Sequence, residues 1–296
     1  MEFRLGRIYD NFPEHEIEVE FCDILSQDDF SRFENAITEI EQLNNVRRLL
    51  DFVVINDSEI IDYLNVIAQD FIQKSVSWNG VKRADTERLF SNVNRLFLNY
   101  LSSIKTFLDH IETHIHRTFG ESSSEFTEFK KMLSVFYDNS FAYRFFYELR
   151  NYSQHCGLPI DNVSFTTEYE RSINRIKGTL QVKFNRDSLL TNHKKWKKVK
   201  ADLVKLDDEF DVTPLIWEMS HNIKEIERNV ELIHRDSLLD SVNFITEKTK
   251  HLRNGAGEIF IAYDFKDKPN GKLANYSSRD IPFDTIDFIK LLEIDK

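Results

Sequence analysis

Apolar residues recur at intervals of three and four along most of the chain, which is the pattern of helices that bury one face. The longest such run predicts a helix from Asp85 to about Arg117, closed by Gly120. At a rise of 1.5 Å per residue, this helix would span roughly 50 Å. Further helices are predicted from Asp29 or Ser31 to about Leu43, from Ser58 to Phe71, from Ser122 to Phe136, from Phe141 to His155, and over 194–209, 215–251 and about 285–292.

Short stretches rich in β-branched and aromatic residues predict a few strands between these helices. Residues 162–167 and 178–184 can pair as a hairpin with a long basic connection, and residues 258–265 alternate like a strand. The run Phe52–Ile55 is either a strand or a buried joint, and 269–271 is a predicted turn. The pattern indicates a mainly α protein, namely a helical bundle with a small inserted β-hairpin and a short C-terminal strand.

Breaks in the apolar pattern divide the chain into three predicted regions. The strongest breaks are Asn79-Gly80 and Gly255-Ala256-Gly257. We therefore expect an acidic helical region at 1–80, a helical bundle at 81–255 with a basic hairpin insertion at about 160–200, and a C-terminal strand and helix appendage at 256–296.

Composition narrows the class of protein. The 296 residues are 41% apolar and 30% charged, which is too apolar for a disordered chain, and 8 Gly with 5 Pro disfavour a turn-dense sandwich or barrel. No apolar run reaches the ~18 residues of a membrane span, and the first residues lack the apolar core of a signal peptide. Two cysteines are too few for a disulfide framework or a structural zinc site. We expect a cytoplasmic protein with no membrane partner.

Charge is distributed unevenly along the chain. The formal net charge is −11, yet residues 171–200 carry ten basic residues against one acid, while residues 1–45 carry twelve acids. A basic stripe on an acidic body can hold a polyanion locally while the net charge repels polyanions elsewhere. The alternative, on equal terms, is a solvated lysine-rich surface.

Several signatures of catalysis are missing, because the chain has no P-loop, dinucleotide-binding, nucleophile-elbow or zincin motif. His110 and His114 share a helix face and could ligate a metal, but spacing fixes no third ligand, so a structural role is preferred. Cys156 follows His155 directly, and side chains adjacent along a helix point apart, so we expect Cys156 to be a small buried residue. We expect no metal and no cofactor.

The most informative segment is 145–159, with the sequence FFYELRNYSQHCGLP. Its Arg150, Asn151 and His155 resemble the R-x(4–6)-H motif of the HEPN superfamily (higher eukaryotes and prokaryotes nucleotide-binding domains), in which a polar residue follows the arginine. The resemblance covers about residues 85–160 and implies a HEPN-like helical bundle. Catalytic members of that superfamily are metal-independent ribonucleases that dimerise so that two motifs line one cleft. Many belong to toxin–antitoxin or antiviral abortive-infection systems.

These residue types suit RNA cleavage, because RNA carries its own nucleophile, the ribose 2′-hydroxyl. The resemblance implies that Arg150 clamps the phosphate, that His155 transfers protons, and that Asn151 orients the imidazole or the substrate. Residues five apart on a straight helix point about 140° apart. We therefore expect the helix stop at Gly157 and Pro159, with Gly157 in a left-handed cap, to let His155 turn inward.

Two other arginine and histidine pairs fit the same pattern: Arg186-Asp187 with His193, and Arg228-Asn229 with His234. The first pair lies in the basic segment and suits phosphate contact better than catalysis. The second lies inside a regular helix, where solvent-exposed polar residues are the preferred interpretation. The expected RNA contacts are Lys194, Lys195, Trp196, Lys197, Lys198 and Arg186.

The sequence supports two functions. The first is a metal-independent endoribonuclease in a bacterial defence or toxin–antitoxin role, with RNA as its partner. The alternative is a non-catalytic HEPN-like module that binds RNA, a nucleotide or a partner protein. The resemblance also implies a homodimer, and a toxin role would add an antitoxin or other regulatory protein as a partner.

Overall fold

The computed structural model describes residues 2–11, 16–77, 80–172, 174–255, 257–267 and 275–291. The chain is mainly helical, as expected, with two small antiparallel sheets. The helices are α1 (Gln27–Val76), α2 (Arg83–Phe119), α3 (Ser124–Asn139), α4 (Phe141–His155), α5 (Arg186–Asn192), α6 (Val199–Leu203), α7 (Thr213–Thr249) and α8 (Phe283–Leu291). The strands are β1 (Phe3–Asn11), β2 (Glu16–Leu25), β3 (Asn162–Glu170), β4 (Arg175–Asn185), β5 (Glu209–Asp211), β6 (Glu258–Asp267) and β7 (Asn275–Asp280).

The chain forms two compact units, the sheet unit and the helical unit. The sheet unit consists of Met1–Asn45 and Glu231–Lys296, and the helical unit is 46–230. The division falls inside α1 and α7, whereas the sequence placed boundaries at 80 and 255. The predicted helix ended at about Leu43, two residues before the division in α1, but no Gly or Pro marks that point, and the predicted helix over 215–251 runs without a break through the division in α7.

The sheet unit is built on four antiparallel strands in the order β2-β1-β6-β7. β1 pairs with β6, with Arg4 opposite Ala262 and Ile8 opposite Glu258. Residues 3–11 and 16–25 form strands, not the acidic helical segment that the sequence predicted. The C-terminal strand, expected as part of an appendage, is an inner strand of this sheet.

Gly6 in β1 lies directly under the ring of Phe260, which is 1% exposed. A β-carbon at position 6 would overlap that ring, so only glycine fits without rearrangement. The apolar core around this sheet includes Phe3, Leu5 and Ile261, together with residues of α1, α7 and α8.

The helical unit is organised around α2. Its apolar residues from Leu89 to Ile115 are buried along one face, which confirms the predicted stripe. Gly120 ends the helix with a φ of 89°, in the left-handed region that favours glycine. At the other end, Asp85 accepts hydrogen bonds from Lys74 Nζ and from the backbone N–H of Lys82, both at 2.9 Å. These bonds lower the pKa of Asp85, the lysine contributing most.

The predicted hairpin is confirmed, since β3 pairs with β4 in an antiparallel register. The strands are longer than expected, and the predicted long connection is only residues 171–174. Residues 194–209 are helical only within α6 and end in β5, and Phe52–Ile55 lies inside α1 instead of forming a strand or joint. The predicted turn at 269–271 lies outside the described residues.

Among the helices of the described ranges, none combines the length and the apolar character needed to cross a membrane.

Candidate functional site at the end of helix α4

α4 begins and ends where the sequence predicted. Ser140 caps it by accepting a hydrogen bond from the backbone N–H of Tyr143. At the other end, the N–H of Cys156 donates to the carbonyl of Tyr152 at 2.8 Å. Gly157 is not left-handed, so that part of the prediction is wrong. Its glycine is explained by close approach, because a β-carbon there would lie 3.0 Å from the Tyr152 hydroxyl.

Arg150 is half-buried on the last turns of α4. Its Nε is buried and has no hydrogen-bond partner among the described residues. A buried polar group without a partner is rare and is commonly satisfied by water or a ligand. Because a guanidinium stays charged and matches phosphate oxygens, an anion is a suitable partner for this group.

His155 is exposed at the last position of α4, five residues after Arg150. Neither side chain makes a hydrogen bond or ion pair with the other in the described part of the chain. The imidazole is therefore open to solvent, and the expectation that His155 turns inward is wrong.

Asn151 is held in place by a buried carboxylate that the sequence did not reveal. Its Nδ2 donates to Glu148 Oε2 at 3.4 Å, and Glu148 is only 2% exposed. Glu148 also accepts a hydrogen bond from Lys197 Nζ at 2.8 Å, which raises the pKa of Lys197. The only available signal was spacing, since residues three apart on a helix are neighbours.

Trp196, expected to contact RNA, is fully buried, which corrects the prediction. Its ring stacks against Phe145, with 6.0 Å between centroids, and against Tyr152 at 5.8 Å. Its indole N–H donates to the carbonyl of Leu189 at 3.0 Å. An indole enclosed in this way is a core residue and has no free face on which a base could stack.

Three of the remaining expected RNA contacts are held in ion pairs within the chain. Besides the pair of Lys197 with Glu148, Lys198 Nζ lies 2.8 Å from Asp138, and Arg186 lies 2.6 Å from Asp208. Lys194 and Lys195 are exposed and make no ion pair within the described ranges. The basic residues of 171–200 that are exposed and make no ion pair within these ranges are Arg171, Arg175, Lys177, Lys194, Lys195 and Lys200.

Cys156 is exposed, which corrects the expectation that it is buried. Its Sγ lies 3.3 Å from Nδ1 of His193. The imidazole of His193 stands nearly perpendicular to the ring of Trp196 at 5.1 Å and to that of Tyr152 at 6.1 Å. This contact brings His193, which directly precedes Lys194 and Lys195, to the end of α4, beside His155.

A cavity of about 450 Å³ opens on the Glu148 side of α4. Three tyrosines line it together with four lysines and four carboxylates, so its charges balance. Lys105 Nζ lies over the ring of Tyr147, 5.1 Å from its centroid, and burial raises the pKa of Tyr143. A pocket of this kind can hold a polar, aromatic ligand of low net charge.

The other candidate residues do not form a site. No group of three or more His, Cys, Asp or Glu residues capable of holding a metal ion occurs in the described ranges, which include His110 and His114. Burial lowers the pKa of His114. His234, from the pair with Arg228, is buried in α7 and not exposed as expected.

No protein-family model matches this chain, and neither a curated protein nor a solved structure does.

Proposed function

We propose that this chain is a metal-independent endoribonuclease of the HEPN type, with a HEPN-like helical bundle and its site at the end of α4. The observation that carries the proposal is the buried, unpartnered Nε of Arg150 on the same helix end as the exposed imidazole of His155. Together they offer a fixed cation for a phosphate and an imidazole that can transfer a proton.

The reaction uses the ribose 2′-hydroxyl as nucleophile. His155 takes the 2′-hydroxyl proton, the freed oxygen attacks phosphorus, and the bond from phosphorus to the 5′-oxygen breaks. The imidazolium of His155 gives that proton to the 5′-oxygen, so the products are a 2′,3′-cyclic phosphate and a 5′-hydroxyl. Arg150 neutralises the charge that develops on the non-bridging oxygens.

Asn151 acts as a positioning residue in this scheme. Glu148 holds its amide N–H, and Asn151 lies one turn before His155 on the same face of α4. The exposed Lys194 and Lys195, placed beside α4 by the contact of Cys156 with His193, attract the RNA backbone. The HEPN resemblance adds a homodimer with two motifs in one cleft, in the cytoplasm of a bacterium, serving defence or a toxin–antitoxin pair.

The test is cleavage of a labelled RNA in excess EDTA by wild type, His155→Ala and Arg150→Ala. Loss of a general acid–base group costs about 10²–10⁴-fold in rate, so we expect at least a hundredfold loss for His155→Ala. His110→Ala is the matched control, because His110 is also an exposed histidine on a helix of the helical unit. This variant should cleave RNA at the wild-type rate. A substrate with one 2′-deoxyribose at the cleaved position should not be cleaved by wild type or by any variant.

If His155→Ala cleaves as fast as wild type, the assigned site is wrong. If wild type cleaves no RNA, the second candidate function is favoured, namely a non-catalytic HEPN-like module. The observation that supports this alternative is the neutral, tyrosine-lined cavity beside Glu148, together with the ion pairs that occupy Lys197, Lys198 and Arg186. Binding of a nucleotide that is lost in Tyr147→Ala would support it.

A further inference from the structure

The side chains of Cys156 and His193 form a pair that the proposed cleavage reaction does not use. The thiol is exposed, and its sulfur lies 3.3 Å from Nδ1 of the imidazole. The other ring nitrogen, Nε2, is buried and has no hydrogen-bond partner in the described part of the chain. Within those residues the thiol is therefore the single polar contact of this imidazole, and no other group competes for its proton.

The pair lies beside two exposed lysines and two aromatic rings. The chain beside His193 continues into the exposed Lys194 and Lys195, which make no ion pair within the described ranges. The rings of Tyr152 and Trp196 border the imidazole of His193 nearly perpendicular to it, at 6.1 and 5.1 Å between centroids.

We propose that Cys156 and His193 form a thiol modification site that reacts with small neutral electrophiles, with hydrogen peroxide as the oxidant. His193 Nδ1 takes the thiol proton. The thiolate sulfur attacks one peroxide oxygen, the S–O bond forms and the O–O bond breaks. Sulfur is oxidised by two electrons to sulfenic acid, and the leaving hydroxide takes the proton from the imidazolium to become water.

Cys22, the other cysteine of the chain, is the internal control. It is half-buried, and burial raises the pKa of its thiol, with a further contribution from Glu20. A raised pKa lowers the thiolate fraction at neutral pH, so Cys22 should react slowly with the same reagent. No histidine hydrogen-bonds to its sulfur in the described residues.

The experiment treats the full-length protein with hydrogen peroxide and dimedone at neutral pH and follows sulfenic acid adducts at each cysteine by peptide mass spectrometry. We expect Cys156 to react about tenfold faster than Cys22, and His193→Gln to slow Cys156 by about tenfold. His155→Gln is the matched variant, because it removes an adjacent imidazole that makes no contact with the thiol, and it should stay within about twofold of wild type.

Equal rates at Cys156 in wild type and His193→Gln would overturn the proposal, as would a Cys22 rate equal to that of Cys156. If His193→Gln does not fold, the test compares the ultraviolet absorbance of thiolate in wild type with that in Cys156→Ser. A higher thiolate absorbance in wild type at neutral pH supports the proposal, and equal absorbance overturns it. None of these readouts depends on RNA cleavage.

Discussion

The two adjacent lysines of the basic segment test how burial changes the strength of an ion pair. Lys197 and Lys198 each lie 2.8 Å from a carboxylate oxygen and are similarly exposed, at 62% and 68%. Their partners differ, since Glu148 is 2% exposed and Asp138 is 57% exposed. The perturbation is a double-mutant cycle on each pair: Lys197→Met with Glu148→Gln, and Lys198→Met with Asp138→Asn.

The expected magnitudes follow from the polarity around each pair. Two unit charges at this separation attract by about 1.5 kcal/mol in a medium as polar as water, and by about 3 kcal/mol at half that dielectric constant. Ordering a long lysine side chain removes part of either value, so we expect no resolvable coupling for the exposed Lys198 pair. For the Lys197 pair we expect about 1–2 kcal/mol, because one partner is shielded from water.

The assay is urea unfolding followed by circular dichroism, with the coupling free energy taken from the four members of each cycle. Because the chain has two compact units, the slopes of the unfolding curves must match across variants before the values are compared. Lys197→Met alone should also cost more stability than Lys198→Met, since it leaves the Glu148 carboxylate buried without its cation. Equal coupling energies in the two cycles would refute the argument that burial of Glu148 strengthens its pair.

Three further predictions concern other parts of the chain. Replacing Lys194 and Lys195 together by alanine should reduce the slope of log affinity for RNA against log salt by about 1–2, and an unchanged slope would show that they make no phosphate contact. Gly6→Ala should cost about 1–3 kcal/mol in urea unfolding, because the new methyl group must displace the Phe260 ring, and wild-type stability would contradict that packing. Because the pKa of Asp85 is lowered in the folded protein, its carboxylate stabilises the fold at pH values above the ordinary pKa of 3.8. This stability is lost as the pH falls through the folded-state pKa. The thermal midpoint of wild type should therefore exceed that of Asp85→Asn at neutral pH and converge with it in acid, and a constant difference would exclude the linkage.

The parts of the fold that could be predicted depend on local patterns. α2, α4 and α7 each bury one face against a core, so apolar spacing alone locates them to within a few residues. β1 was missed because it pairs with β6, far along the chain, with Arg4 opposite Ala262, and β2 pairs with β1 at the edge of the same sheet. Phe52–Ile55 was misread because four consecutive apolar residues fit either a strand or a helix. Phe52 and Ile55 are in fact about half exposed on α1.

The residues of the candidate site could also be predicted only where the signal is local in the sequence. The end of α4 was predictable, because the stop at Gly157 and Pro159 is a signal within a few residues of the helix end. The ion pair of Lys197 and the burial of Trp196 could not be predicted, because the groups that pair with or enclose these side chains lie on other elements. Glu148, for example, lies 49 residues before Lys197. A count of charges along a sequence cannot show which of them are already neutralised by partners.

This distinction changes the electrostatic basis of the proposed function. The ten basic residues of 171–200 suggested one continuous stripe, but those without an ion pair in the described residues fall into two groups. Arg171, Arg175 and Lys177 lie at the closed end of the hairpin, and Lys194, Lys195 and Lys200 lie in the segment that follows His193. Only the second group is placed beside α4 by the contact of Cys156 with His193. RNA bound by Arg150 and the second group alone would therefore release about three counterions, against about eight if the whole stripe is used as well. A small salt slope would locate the RNA at the helix end, and a large one would require the hairpin as well.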